Sequence, residues 1–164
     1  MKAIAVLLLL PLPLMAQQPK GCEDRPEIRV FDFWAGDWQV TATGSTQVVG
    51  TSSVQLINRS CALLENWTGT GGGTGKSLNF YDASTQLWHQ VWTDATGGET
   101  FFTGKYADDT MRFEGEHINA AGAKSPARLT FTRIDDSHVR QVGETSMDDG
   151  KTWKVSYDFT YTRK

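Results

Sequence analysis

The chain has 164 residues, 16 Lys and Arg against 19 Asp and Glu, and a formal net charge of −3. Both signs are interspersed and no basic stripe occurs, which argues against nucleic acid and anionic membrane surfaces as partners. The length supports one domain with a substantial core.

Residues 1–16 read as a signal peptide: Lys2 is a short positive start, residues 3–15 carry no charge, and Ala16 suits the position before cleavage. That run is too short to span a membrane comfortably. The expected mature start is Gln17, and the product is expected in the periplasm or medium. A lipoprotein cut before Cys22 is the competing reading, disfavoured by the polar stretch 18–21. Residues 17–25 read as a tether and 26–164 as the barrel domain. Cys22 and Cys61 are the only cysteines; in an exported chain they are expected to form one disulfide.

From 26 to 34 the apolar residues Ile28, Phe31 and Trp34 recur at spacing three, with Pro26 in the first turn and Gly36 just past the end. This predicts one short amphipathic helix. The rest alternates and is cut by turn residues every 8–12 positions. Strands are predicted at about 37–43, 46–57, 60–69, 76–82, 87–94, 99–106, 110–118, 127–134, 138–146 and 151–162. Ten strands with short loops predict an all-β fold, an antiparallel up-and-down β-barrel with no free sheet edge. In the last strand Trp153, Val155, Tyr157, Phe159 and Tyr161 share the face expected to point inward.

The opening Phe33-Trp34-Ala35-Gly36-Asp37-Trp38 and the closing Tyr161-Thr162-Arg163 together resemble the calycin superfamily: lipocalins, fatty-acid-binding proteins and nitrobindin-like barrels. The resemblance implies that Trp38, set by Gly36, forms the floor of the barrel and that Arg163 covers its ring. A guanidinium packs well on an indole face. The chain also resembles a group of exported bacterial proteins with an F-W-x-G-x-W opening, over most of residues 17–164, including Cys61-Ala62-Leu63-Leu64-Glu65 and Tyr81-Asp82. That resemblance implies a fold and no function. Ser146-Met147-Asp148-Asp149-Gly150-Lys151-Thr152-Trp153 resembles an Asp box. This implies that Ser146 and Asp148 brace a hairpin, Gly150 takes the difficult backbone angle and Trp153 enters the core.

Gly69-Thr70-Gly71-Gly72-Gly73-Thr74-Gly75-Lys76-Ser77 nearly spells a phosphate loop, but Thr70 stands where the motif needs Gly and a strand follows instead of a helix. It reads as a hairpin loop, or as a mobile flap at the barrel mouth. A regular hairpin through 82–87 pairs Tyr81 with Trp88, Asn79 with Gln90 and Ser77 with Trp92, on one face. Leu63, Glu65 and Trp67 share a face on the strand before. Aromatic walls with a few amides and one carboxylate describe a pocket for a flat or amphipathic organic molecule. Glu65, Trp67, Asn79, Tyr81, Trp88, Gln90 and Trp92 are the candidate ligand contacts if these faces point inward. The opposite faces, with Leu78, Phe80, Leu87 and Val91, suit an interior equally well by composition. Arg140 is a further candidate: if inward it holds a ligand carboxylate or forms a buried ion pair with Glu144 or Glu65, and if outward it belongs to a solvated face.

His89, His117 and His138 are isolated in sequence, and no metal site is expected. No cofactor is expected either; haem through His89 or His117, by resemblance to nitrobindin, is the exception left open. No catalytic set can be assembled from spacing. Three functional readings follow: a carrier for an apolar or amphipathic small molecule, a barrel enzyme of isomerase or cyclase type using a cavity carboxylate or His, or a structural domain whose six Trp, eight Phe and four Tyr fill the interior. Oligomeric state is not legible.

Overall fold

The computed structural model describes residues 21–164, so the expected signal peptide and residues 17–20 of the tether lie outside the described residues. Ten antiparallel strands form a closed barrel: β1 (Gly36–Ala42), β2 (Val48–Ile57), β3 (Ala62–Gly69), β4 (Thr74–Asp82), β5 (Leu87–Asp94), β6 (Glu99–Ala107), β7 (Thr110–Ile118), β8 (Lys124–Arg133), β9 (His138–Thr145) and β10 (Lys154–Arg163). Each strand pairs with its sequence neighbours, and β1 pairs with β10 to close the sheet. No edge strand remains for another chain to extend.

Short polar turns set the registers. Asp108 and Asp109 both take positive φ and join β6 to β7 as a two-residue hairpin, whose twist suits the flanking strands. At 82–87 and 146–153 an aspartate accepts hydrogen bonds from backbone and hydroxyl groups across its own turn: Asp82 from Ser84 and Thr85, Asp148 from Ser146 and Thr152. Gly150 adopts φ +85°, as an Asp box requires.

The expected helix over 26–34 is two pieces, α1 (Pro26–Arg29) and a 3-10 turn (Asp32–Trp34). The spacing-three residues still act together. Ile28, Phe31 and Trp34 are buried and plug one end of the barrel. Phe31 stacks on Trp34 at 5.3 Å, and Trp34 meets Phe131 at 4.4 Å. The floor is built on Gly36, Trp38 and Arg163. Gly36 has φ +138°, the Trp38 indole donates to the Trp34 carbonyl at 2.9 Å, and the Arg163 guanidinium lies 4.3 Å over the Trp38 ring. Arg163 also donates to the carbonyls of Ala35 and Asp136. A Cβ on Gly36 would collide with that guanidinium at 2.2 Å. Cys22 and Cys61 form a disulfide, fixing the incoming chain to the β2–β3 turn.

Two details correct the sequence reading. A bulge between Val155 and Tyr157 in β10 reverses the alternation, so Val155 is exposed while Tyr157, Phe159 and Tyr161 keep the inward face. Trp153 does not enter the core: it is half-buried beneath the Arg128 guanidinium, 3.8 Å from its ring centroid.

Candidate functional site

The end opposite the plug is hollow. A cavity of about 420 Å³ opens there, walled by Trp67, Trp92, Phe102, Tyr157 and Phe159 with polar groups between them. Alternation places its lining. Glu65, Ser77, Trp92, Thr100 and His117 occupy one continuous row of register partners across β3 to β7. Leu63, Asn79, Gln90, Phe102, Gly115 and Ala127 form the next row toward the plug. Leu78 is exposed, so the faces carrying the candidate contacts are the inward ones.

The polar groups of this wall form a chain. The Gln90 side-chain amide donates to Asn79 Oδ1 at 2.7 Å, and Asn79 Nδ2 donates to Ser77 Oγ at 3.0 Å. Ser77 and Ser52 each donate a hydroxyl to one oxygen of Glu65, both at 2.9 Å. All five residues are buried. Burial pushes the Glu65 carboxyl up to about 7, against the opposing pull of the Ser52 and Ser77 hydroxyls. Burial, and then the nearby Glu65 charge, raise Tyr157. On the opposite wall Tyr161 donates to Gln141 Oε1 at 2.7 Å. In the same row as Glu65, Thr100 Oγ1 and His117 Nδ1 are 2.9 Å apart.

Glycines lie beneath the rings. A Cβ on Gly75 would stand 2.3 Å from Trp92 Cη2, one on Gly50 2.6 Å from Trp67 Cη2, and one on Gly143 2.2 Å from Tyr157 Cζ. The rings therefore lie flat against the sheet, with Trp67 stacked on Phe159 and Phe159 on Tyr157.

Of the candidate contacts, Glu65, Trp67, Gln90 and Trp92 line the cavity. Asn79 stands behind them as a fully buried link in the chain. Trp88 belongs to the plugged end, edge-on to Phe31 at 5.5 Å, and Tyr81 packs beside it. Arg140 lies on the outer surface in a two-pronged pair with Asp158, so the outward reading of that residue holds. The sequence reading did not put Thr100, Phe102, Gln141, Tyr157 or Phe159 in the pocket, nor Ser52 behind Glu65. The inward face of the last strand carried the signal for the two β10 rings, and the others needed the register of the closed barrel. His89 is on the outer face, stacked on Phe80, and His138 pairs with Asp135; His117 lines the cavity. Among the described residues no group of three or more His, Cys, Asp or Glu is placed to hold a metal ion, and no helix is long and apolar enough to cross a membrane. The 70–73 stretch is a short turn closed by the bond from the Gly69 amide to the Gly73 carbonyl and does not line the cavity. Compared with protein-family models and with curated protein sequences, the chain matches none.

Proposed function

We propose that this protein is an exported, calycin-like carrier that holds one small apolar or amphipathic molecule in the open half of its barrel. One observation carries the reading: a hollow end of about 420 Å³ with aromatic walls and a buried, hydrogen-bonded polar chain. Ligand sites combine apolar walls with a few placed polar groups in this way and fall in the same size range. Each ring covered by a ligand contributes on the order of 1–3 kcal/mol, enough for micromolar affinity. Export fits the Cys22–Cys61 disulfide, a bond of oxidising compartments.

Native mass spectrometry of the protein purified from its own host, with a visible absorption spectrum of the same sample, tests this. A bound mass released on denaturation supports the carrier, and its mass gives the ligand class. A haem band would assign a cofactor to His117, which lines the cavity. An empty chain that also takes up no apolar dye would sink the proposal. N-terminal sequencing of that sample checks cleavage before Gln17.

The buried Glu65 carboxyl, titrating near neutrality beside Tyr157, favours a second reading, a barrel enzyme using Glu65 for acid–base chemistry. Conversion of the bound molecule by the native protein, lost in Glu65→Gln with binding kept, would establish it. Recovery of the molecule unchanged would leave the carrier.

A further inference from the structure

We infer, resting on the binding reading above, that the molecule held is an organic cation: a protonated amine on an apolar body, with its ammonium against Glu65 between the cavity's aromatic rings.

The polar chain has a direction. Gln90 donates to Asn79, Asn79 to Ser77, and Ser77 to Glu65. Asn79 Nδ2 also reaches the Leu63 carbonyl at 3.5 Å, which fixes which end of that amide is nitrogen. With its oxygen accepting from Asn79, Ser77 has its own proton free for Glu65. Ser52 supplies a second hydroxyl proton to the other carboxylate oxygen. Two hydroxyls, one at each oxygen, favour the carboxylate against the burial that favours its neutral form.

The protein offers that anion no countercharge among the described residues. Of the basic residues lining the cavity, Arg128 donates to Glu114 at 3.0 Å and stacks on Trp153. His117 is tied at Nδ1 to Thr100. Buried charges are normally paired, so the complementary charge is left to the ligand. The rest of the lining suits the same guest. Trp67, Trp92, Tyr157 and Phe159 line the cavity, and indole and phenol faces attract ammonium groups. Gln90, its nitrogen engaged by Asn79, retains an oxygen to accept an N–H. A carboxylate ligand would meet Glu65 with like charge.

Isothermal titration with three probes of one shape tests this at pH 8: 1-naphthylmethylamine, 1-naphthalenemethanol and 1-naphthoic acid. The amine is expected to bind at least about tenfold tighter than the alcohol, and the acid weakest. Glu65→Gln should erase the amine's advantage over the alcohol. The native protein gives a second readout that needs no variant. Ser52, Ser77, Tyr157 and Tyr161 face Glu65, and His117, Arg128 and Glu144 also line the cavity. Of these groups Glu65 is pushed to about 7, so amine affinity should fall about tenfold from pH 8 to pH 5 as it takes a proton, with alcohol affinity flat. An alcohol or acid that binds as tightly as the amine, or an amine preference untouched by both Glu65→Gln and pH, would overturn this inference and leave the carrier standing. If none of the three probes binds and no dye enters, the carrier reading falls and this inference with it.

Discussion

At the plugged end of the barrel, Phe31, Trp34, Trp38 and Phe131 are wholly inaccessible, packed ring against ring across the axis. At the open end Trp67, Trp92, Tyr157 and Phe159 keep partial exposure and lie along the wall. The two halves draw on the same residue types and the same strands. They differ in what comes from outside the sheet and in what lies beneath the rings. The N-terminal segment brings Ile28, Phe31 and Trp34 into one end, and among the described residues nothing comparable enters the other. Aromatic content therefore does not decide whether a barrel is packed or hollow; the placement of a plug and a buried polar row does.

Four changes would break or sharpen this contrast. Trp34→Ala removes the centre of the plug and should cost about 4 kcal/mol, read as a shift in the denaturant midpoint with an unchanged slope. A loss below about 1 kcal/mol would mean that the plug is not what holds the closed end. Replacing Cys22 and Cys61 together with Ser should cost about 3 kcal/mol, since the bond closes a separation of 39 residues. Because the tether serves the plugged end, probe affinity in the cavity should hardly move in the folded variant.

The third change reverses sign. The folded-state value for Glu65, about 7, lies above its ordinary 4.5. The folded state thus keeps a proton that the unfolded chain releases between those values. The contribution of Glu65 to stability is greatest below about pH 4.5, falls as pH rises from there through the folded value, and is lower by about 3 kcal/mol above it. Glu65→Gln should flatten this dependence, leave stability at pH 4.5 nearly unchanged and raise it by about 2 kcal/mol at pH 8. Thermal melts across that range check it; a parallel pair of pH curves would mean the carboxyl is solvated. The smallest effect is expected outside the barrel. Arg140→Ala breaks a surface pair with Asp158 and should change stability by less than about 1 kcal/mol, with no change in amine affinity by titration.

Much of the architecture was legible because period-two alternation and turn chemistry act locally. Asp82, Asp148 and Gly150 mark their hairpins in the sequence, and Ile28, Phe31 and Trp34 announce a buried stripe even though the helix breaks into two turns. The face bearing Glu65, Trp67 and Trp92 was legible as a pattern, with its direction undecided. Depth was not legible. Trp88 and Trp92 share a face, yet at about 3.3 Å per residue they stand roughly 13 Å apart along the strand. One falls in the plug and the other in the cavity. Alternation gives a side and no height; height comes from the stagger of the closed sheet, a property of all ten registers together. The bulge at Val155 and Tyr157 is invisible for a related reason, since its cause lies in the pairing of β10 with β9.

The glycines under the three rings give the hollow end its calibre. Where Gly50, Gly75 and Gly143 stand, a methyl group would occupy the space that Trp67, Trp92 and Tyr157 now take, and each ring would have to swing toward the axis. The bore of the tube is thus set by absent Cβ atoms, while the charge preference inferred above rests on Glu65 and its hydroxyl partners. The two can change separately. Alanine at one, two or three of these glycines would narrow the bore stepwise while leaving the Glu65 carboxylate and its serine partners in place.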